Sequence, residues 1–111
     1  MSESSTPLFK NPHSLAKYES RMRKIFSLAI PDKSYRIILY GSRARGDDRD
    51  GSDVDLAISG EPITDGDLSH VREFWEESTI PLNLDLVDLG KIDDKLTSRI
   101  KAEGVTLWIQ S

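Results

Sequence analysis

The spacing of hydrophobic positions changes along the chain between helical and extended periods, which predicts a mixed fold. Three segments repeat apolar residues at three- and four-residue steps, the period of one helix face. The first follows a cap at Ser14, the second follows a cap at Asp67, and the third has Asp93 and Asp94 in its first turn. Their apolar faces comprise, in order, Leu15, Tyr18, Met22, Ile25, Phe26 and Ala29; Leu68, Val71, Phe74 and Trp75; and Ile92, Leu96 and Ile100.

Four segments have the pattern of β-strands. Residues 35–40 are almost continuously apolar, which indicates a strand covered on both faces. Residues 53–59 alternate, so that Asp53, Asp55 and Ala57 share one face. Residues 82–89 and 105–109 predict two more strands. The fold class is therefore α/β (α+β), with a mixed twisted sheet of about four strands and helices packed against it.

Length and composition restrict the domain organisation and the chemistry. A chain of 111 residues is long enough for one domain. Polar residues 1–12 predict a flexible N-terminal tail, and residues 13–111 a single domain. The sequence contains no cysteine, which excludes disulfide frameworks and thiolate metal sites, and its two histidines argue against a multi-histidine site.

Charge and hydropathy indicate the class of partner. The formal net charge of −4 argues against binding to nucleic acid and favours a small-molecule or protein partner. No apolar run approaches the roughly 20 residues that span a bilayer. The first residues lack the basic start and apolar core of a secretory signal, so we expect a cytoplasmic protein that does not bind membranes.

The polar segment that follows the first strand contains residues suited to binding phosphate. Gly41 allows a sharp turn and a close approach of the backbone to a ligand. Ser42 offers a hydroxyl and a backbone N–H at the start of a predicted helical turn, where a phosphate is favoured. Arg43 and Arg45 add positive charge, unless they are ordinary surface residues.

Paired carboxylates follow on the second strand. Asp53 and Asp55 leave the same face, and two carboxylates there are suited to Mg²⁺ bound together with substrate phosphates. The alternative is that Asp53 and Asp55 only form the polar face of an edge strand. A third carboxylate is expected from Asp85 or Asp88, which have opposite parity on the third strand. Asp85 is favoured, because it lies mid-strand among apolar neighbours and would need a partner such as a metal. A bulge would exchange the two faces, so the choice stays open.

These residues together resemble the signature of the nucleotidyltransferase (polymerase beta-like) superfamily. That signature is Gly-Ser, ten residues and then Asp-x-Asp, and Gly41-Ser42 and Asp53-Val54-Asp55 match it with the spacing intact. The runs Gly-Ser-Arg-Ala-Arg-Gly and Ser-Asp-Val-Asp-Leu are similar to those of the minimal nucleotidyltransferases in particular. The resemblance extends from about residue 35 to residue 89.

The resemblance implies a small nucleotidyltransferase fold and a set of residue roles. Asp53, Asp55 and Asp85 would be catalytic and would bind Mg²⁺, with two ions expected and Mn²⁺ as an alternative. The nucleotide-binding residues would be Gly41, Ser42, Arg43, Arg45 and Ser52. The reaction would move a nucleoside monophosphate to a hydroxyl acceptor. The monophosphate would be AMP if the donor is ATP, or the corresponding group of another nucleoside triphosphate.

The resemblance also implies a partner. Minimal nucleotidyltransferases are often encoded beside a HEPN-domain protein, and those that act as antitoxins modify a tyrosine of that toxin. One small domain leaves little room for an acceptor site, so we expect a partner or a second copy to supply it. Two alternatives remain: a non-catalytic antitoxin that neutralises its partner by binding, and a transferase acting on a small molecule, as in antibiotic-modifying relatives.

Overall fold

The computed structural model describes residues 15–46 and 52–111. The predicted tail at residues 1–12 and the cap at Ser14 lie outside these ranges. The proposed extent of the domain, residues 13–111, stays a prediction.

Within residues 15–46 and 52–111, four helices and four strands follow a short 3₁₀ turn at Ala16–Tyr18, in the order that the sequence predicts. The helices are α1 (Glu19–Ala29), α2 (Ser42–Arg45), α3 (Asp65–Glu76) and α4 (Asp94–Glu103). The strands are β1 (Tyr35–Tyr40), β2 (Val54–Gly60), β3 (Leu84–Asp88) and β4 (Val105–Gln110). Along the chain, α2 connects β1 to β2, and α3 connects β2 to β3.

The strands form one mixed sheet in the order β3-β2-β1-β4. β1 pairs antiparallel with both β2 and β4, and β2 pairs parallel with β3. A parallel pair needs a crossover between its strands, which α3 supplies. β2 is therefore an interior strand, and the alternative that its aspartates decorate an edge strand is wrong.

Hydrophobic side chains cover both faces of the sheet, as the continuous apolar run of β1 predicts. The larger cluster joins one face to α1 and α3 through Phe26, Leu56 and Val71, and it contains the buried Trp75 and Trp108. The smaller cluster lies on the other face and packs Ile38, Tyr40 and Ala57 against Ile100 of α4. The alternation predicted for β2 is confirmed, because Val54, Leu56 and Ile58 belong to the larger cluster and Ala57 to the smaller.

Two local expectations are wrong, each because a side chain bonds to the backbone. Thr64, not Asp67, caps α3: its Oγ1 accepts from the Asp67 N–H, and the Asp67 carboxylate accepts from the Thr64 N–H, both at 3.0 Å. β3 is shorter than residues 82–89, since the Leu82 carbonyl accepts the indole N–H of Trp75 at 2.7 Å. β1 has the predicted bounds, and the remaining elements end within a few residues of the predicted positions.

None of the helices within residues 15–46 and 52–111 has the length and apolar character needed to cross a bilayer.

The capping pair at α3 predicts a pH-dependent contribution to stability. Asp67 also binds the Lys33 ammonium at 2.7 Å, and that bond together with the Thr64 N–H lowers the pKa of Asp67. A carboxyl group whose pKa is lower in the folded than in the unfolded protein stabilises the fold at a pH above the unfolded-state pKa. This stabilisation is lost as the pH falls through the folded-state pKa. We expect Asp67→Ala to cost about 1 kcal/mol in urea denaturation at pH 7 and less below about pH 4. Asp65→Ala, in the same turn, is the control; equal losses for the two variants would contradict the assignment.

Candidate active site

Two aspartates lie side by side on adjacent strands of the sheet. Asp55 of β2 is directly opposite Asp85 of β3 in the parallel register, and Tyr40 of β1 is opposite Asp55 on the other side. Residues paired in this way project from the same face of a sheet. That face is the one that α4 covers, and the three residues form a row across it.

Electrostatics place Asp53 in the same group. The pKa of Asp55 is raised first by burial and then by the negative charges of Asp85 and Asp53, while Arg99 and Arg43 oppose the shift. Asp53 precedes β2 and is exposed, and Asp55 is half-buried. The sequence-predicted carboxylates are therefore near one another.

The third strand distinguishes Asp85 from Asp88. The β2–β3 register is regular through both positions, so Asp88 is opposite Ile58 and projects from the other face. One oxygen of Asp88 accepts from the Gly90 N–H at 2.9 Å, which closes the turn after β3. Asp85 itself is exposed. The expectation that it is surrounded by apolar neighbours is wrong, because Leu84 and Leu86 point to the opposite face.

The turn between β1 and α2 lies against Asp55. Gly41 has φ +77° and ψ −156°, a conformation essentially restricted to glycine. A side chain at this position would overlap the Asp55 carboxylate, since a Cβ would lie 3.3 Å from its Cγ and still closer to Oδ2. Ser42, half-buried, begins α2. α2 is a single turn, so its dipole is small, and any affinity for phosphate depends on individual donors.

The two arginines of the motif have different surroundings. Arg43 is 4% exposed, and its guanidinium donates to the carbonyls of Ser52 at 2.6 Å and Asp53 at 3.3 Å. These bonds join α2 to the backbone that enters β2, so Arg43 is not an ordinary surface charge. Arg45 is exposed and pairs with Glu103 at 3.2 Å. Nucleotide binding by these arginines and by Ser52 stays a prediction.

Three residues near the carboxylates were missed by the sequence analysis. Burial and the charges of Asp85 and Asp55 raise the pKa of Tyr40 to about 12. Arg99 of α4 lowers the pKa of both Tyr40 and Asp55 by its positive charge. Glu103 accepts from the backbone N–H of Gly41 at 3.1 Å. Tyr40 could have been found from its place before the Gly-Ser pair, but nothing local in the sequence connects α4 to this turn.

The carboxylates of the site are of the type that binds a divalent cation, although they do not lie close enough together to hold one. In the part of the chain that the structure describes, no group of three His, Cys, Asp or Glu side chains is close enough to hold a metal ion. Asp55 and Asp85 nevertheless supply carboxylate oxygens from one face, with the charge of Asp53 near them, and Mg²⁺ prefers such ligands. Burial, and after it the charges of Asp85 and Asp53, raise the pKa of Asp55, and a cation would relieve the repulsion.

The contact between Gly41 and Asp55 predicts a difference between two glycines of the same loop. Gly46 also has a positive φ, +85°, but a side chain there would meet nothing within 4 Å. Gly46→Ala is expected to cost roughly 1 kcal/mol of backbone strain. Gly41→Ala combines strain of about 1–3 kcal/mol with displacement of the Asp55 carboxylate and should cost more. Urea denaturation of both variants measures the difference; equal losses would show that the turn does not press on Asp55.

Repulsion at Asp55 predicts that removing its charge stabilises the fold. Since the pKa of Asp55 is raised in the folded protein, the protonated Asp55 favours folding at low pH. This contribution to stability is lost as the pH rises through the folded-state pKa. At pH 7 in EDTA we expect Asp55→Asn to melt above the wild type, with the gap closing on acidification. Asp32→Asn, an exposed change at the other end of β1, is the control. A lower melting temperature for Asp55→Asn would contradict the assignment.

Comparisons with known proteins agree with the geometry. The family described as "Polymerase beta, Nucleotidyltransferase" matches residues 24–111. The chain is also 35% identical over 68 residues to "Probable protein adenylyltransferase MntA" of Haemophilus influenzae, across 60% of this chain and 58% of that protein. It thus spans less than two thirds of the length of this curated relative.

Solved structures have the same fold. A crystal structure of a toxin-antitoxin with AMP-PNP superposes with a TM-score of 0.69 at 25% identity, over 81% of this chain and 72% of that one. A tri-AMPylated HEPN toxin of Shewanella oneidensis in complex with MNT antitoxin gives 0.65 at 23%, over 84% and 71%. At 23% identity, the similarity to the Shewanella oneidensis complex supports the fold alone. With the family matching most of its length, the chain belongs to the polymerase beta nucleotidyltransferase family.

Proposed function

We propose that this protein transfers a nucleoside monophosphate, AMP from ATP, to a hydroxyl group of a partner protein. One observation carries the proposal: Asp55 and Asp85 lie side by side on one face of the sheet, with Asp53 nearby and the Gly41 turn packed against Asp55. Phosphoryl and nucleotidyl transfer need carboxylates that bind a cation beside a place for phosphates. Membership of the family supports the same reaction class.

The reaction balances without a further reactant. The acceptor hydroxyl oxygen forms a bond to the α-phosphorus of ATP, and the bond from that phosphorus to the oxygen that bridges to the β-phosphorus breaks. Pyrophosphate leaves with that oxygen. The hydroxyl proton goes to a carboxylate, and we assign this role to Asp85, which is exposed and therefore open to an acceptor.

The other residues bind and orient the nucleotide. Asp53 and Asp55, with Asp85, would hold Mg²⁺, or Mn²⁺ in its place. A cation held there would supply positive charge to neutralise the triphosphate and polarise the α-phosphate. Gly41 keeps the backbone close to the site, and Ser42 offers its hydroxyl to the phosphates. Arg45, exposed beside the turn, supplies charge, and Arg43 and Ser52 maintain the entry into β2.

The partner we propose is a HEPN-domain toxin, which would make this chain an antitoxin. The relative from Haemophilus influenzae is named a protein adenylyltransferase, and a similar structure is an MNT antitoxin bound to a tri-AMPylated HEPN toxin. Those names describe other proteins, and they support the proposal for this one. Because ATP and Mg²⁺ are supplied by the cytoplasm, we propose that the protein acts there.

Labelled ATP tests the reaction and the choice of third carboxylate together. The chain is incubated with Mg²⁺, ATP labelled on its α-phosphate, and lysate of the source cells. We expect one labelled protein, identified by mass. Asp55→Asn and Asp85→Asn should each reduce the labelling rate by a factor of about 10² or more, as loss of a metal ligand or general base does. Asp88→Asn keeps the oxygen that accepts from Gly90 and should label normally.

Each other outcome has a definite meaning. Label in a small molecule or an RNA would replace the proposed acceptor and keep the transferase. Equal labelling by the wild type and Asp55→Asn would refute the assigned site. No label with any nucleoside triphosphate, combined with neutralisation of a toxin that survives Asp53→Asn and Asp55→Asn, would identify an antitoxin that acts by binding alone.

A further inference from the structure

Glu103, the last residue of α4, connects this helix to the turn that follows β1. Its Oε1 accepts from the backbone N–H of Gly41 at 3.1 Å, across 62 residues of sequence. The same carboxylate pairs with Arg45 of α2 at 3.2 Å and with Arg99, one turn earlier on α4, at 3.6 Å. The Glu103 side chain is 21% exposed, so these contacts are partly shielded from water.

The position of Glu103 is unfavourable for α4 by itself. The carbonyl groups at the C-terminus of a helix carry partial negative charge, and a carboxylate in the last turn is repelled by them. The helix ends normally beyond it, with the Gly104 N–H bonded to the Ile100 carbonyl at 2.7 Å. Besides the pair with Arg99 inside α4, the contacts that compensate for this repulsion lie outside the helix, at Gly41 and Arg45.

The turn that Glu103 holds also determines the position of the Asp55 carboxylate. Gly41 packs so closely on Asp55 that even a methyl group would overlap Oδ2. A shift of Gly41 therefore moves Asp55 or opens a gap beside it. Arg99, held by Glu103, is near enough that its charge acts on Asp55. The Glu103 carboxylate thus binds both the turn and Arg99, whose positive charge acts on Asp55.

We propose that Glu103 is a positioning residue for nucleotide binding, which holds the Gly41 turn against Asp55 and keeps the Arg45 and Arg99 guanidinium groups in place. This inference rests on the proposed function and adds a residue outside the Gly-Ser and Asp-x-Asp motif. Glu103 acts through Gly41 and the arginines, and no contact with the nucleotide is assigned to it.

The test combines a readout of the turn with a readout of the reaction. Glu103→Ala removes the acceptor and the charge, whereas Glu103→Gln keeps an oxygen that can accept from Gly41. Neither change should unfold the protein, since each relieves the repulsion at the end of α4. Glu73→Ala and Glu73→Gln, on the exposed face of α3, are matched controls. Hydrogen exchange of the Gly41 amide by NMR, and KM and kcat for MgATP, are measured for all four variants.

We expect Glu103→Ala to speed exchange of the Gly41 amide about tenfold and to raise KM for MgATP about tenfold, as loss of one charge-assisted hydrogen bond would do. Glu103→Gln should restore most of the amide protection and part of the KM. Unchanged protection of Gly41 in Glu103→Ala would overturn the proposal, and so would lost protection with an unchanged KM. Should the wild type transfer no nucleotide, the proposed function fails separately, and the Gly41 amide still shows whether Glu103 holds the turn.

Discussion

The structure depends on the pairing of β2 between β1 and β3. This register brings Asp55 beside Asp85 and places Tyr40 on the other side of Asp55. Burial of Asp55 and, after it, repulsion between the neighbouring carboxylates raise the pKa of Asp55. Apolar clusters on both faces of the sheet supply the stability that tolerates this repulsion. The carboxylates thus destabilise a fold that the apolar clusters stabilise. Such a cost is expected at a functional site where a bound cation would offset the repulsion.

Backbone contacts, more than side-chain pairs, shape the surroundings of the carboxylates. Arg43 binds the carbonyls of Ser52 and Asp53, Glu103 binds the N–H of Gly41, and Gly41 itself packs on Asp55. Each contact fixes a segment adjoining β2. Residues outside the Gly-Ser and Asp-x-Asp pair therefore contribute to the geometry that the motif needs.

Local rules in the sequence predicted the elements because the apolar periods of helix and strand are distinct. β1 has the predicted bounds, and the faces of α1, α3 and β2 are as expected. The cap of α3 was misplaced by three residues, since Thr64 and Asp67 both suit a helix start and form a reciprocal pair. The exposure of Asp85 could not be read from its apolar neighbours, because alternate residues of a strand face opposite ways.

Neighbours along the chain are enough to predict the alternation of strands and helices, the spacing between Gly41-Ser42 and the aspartate pair, and the parity that separates Asp85 from Asp88. The pairing of the strands, the interior place of β2 and the position of Asp85, not Asp88, beside Asp55 follow from long-range contacts. The tertiary structure also brought Glu103 to Gly41 across 62 residues. Such contacts depend on how helices cover the sheet, which no local pattern of residues records.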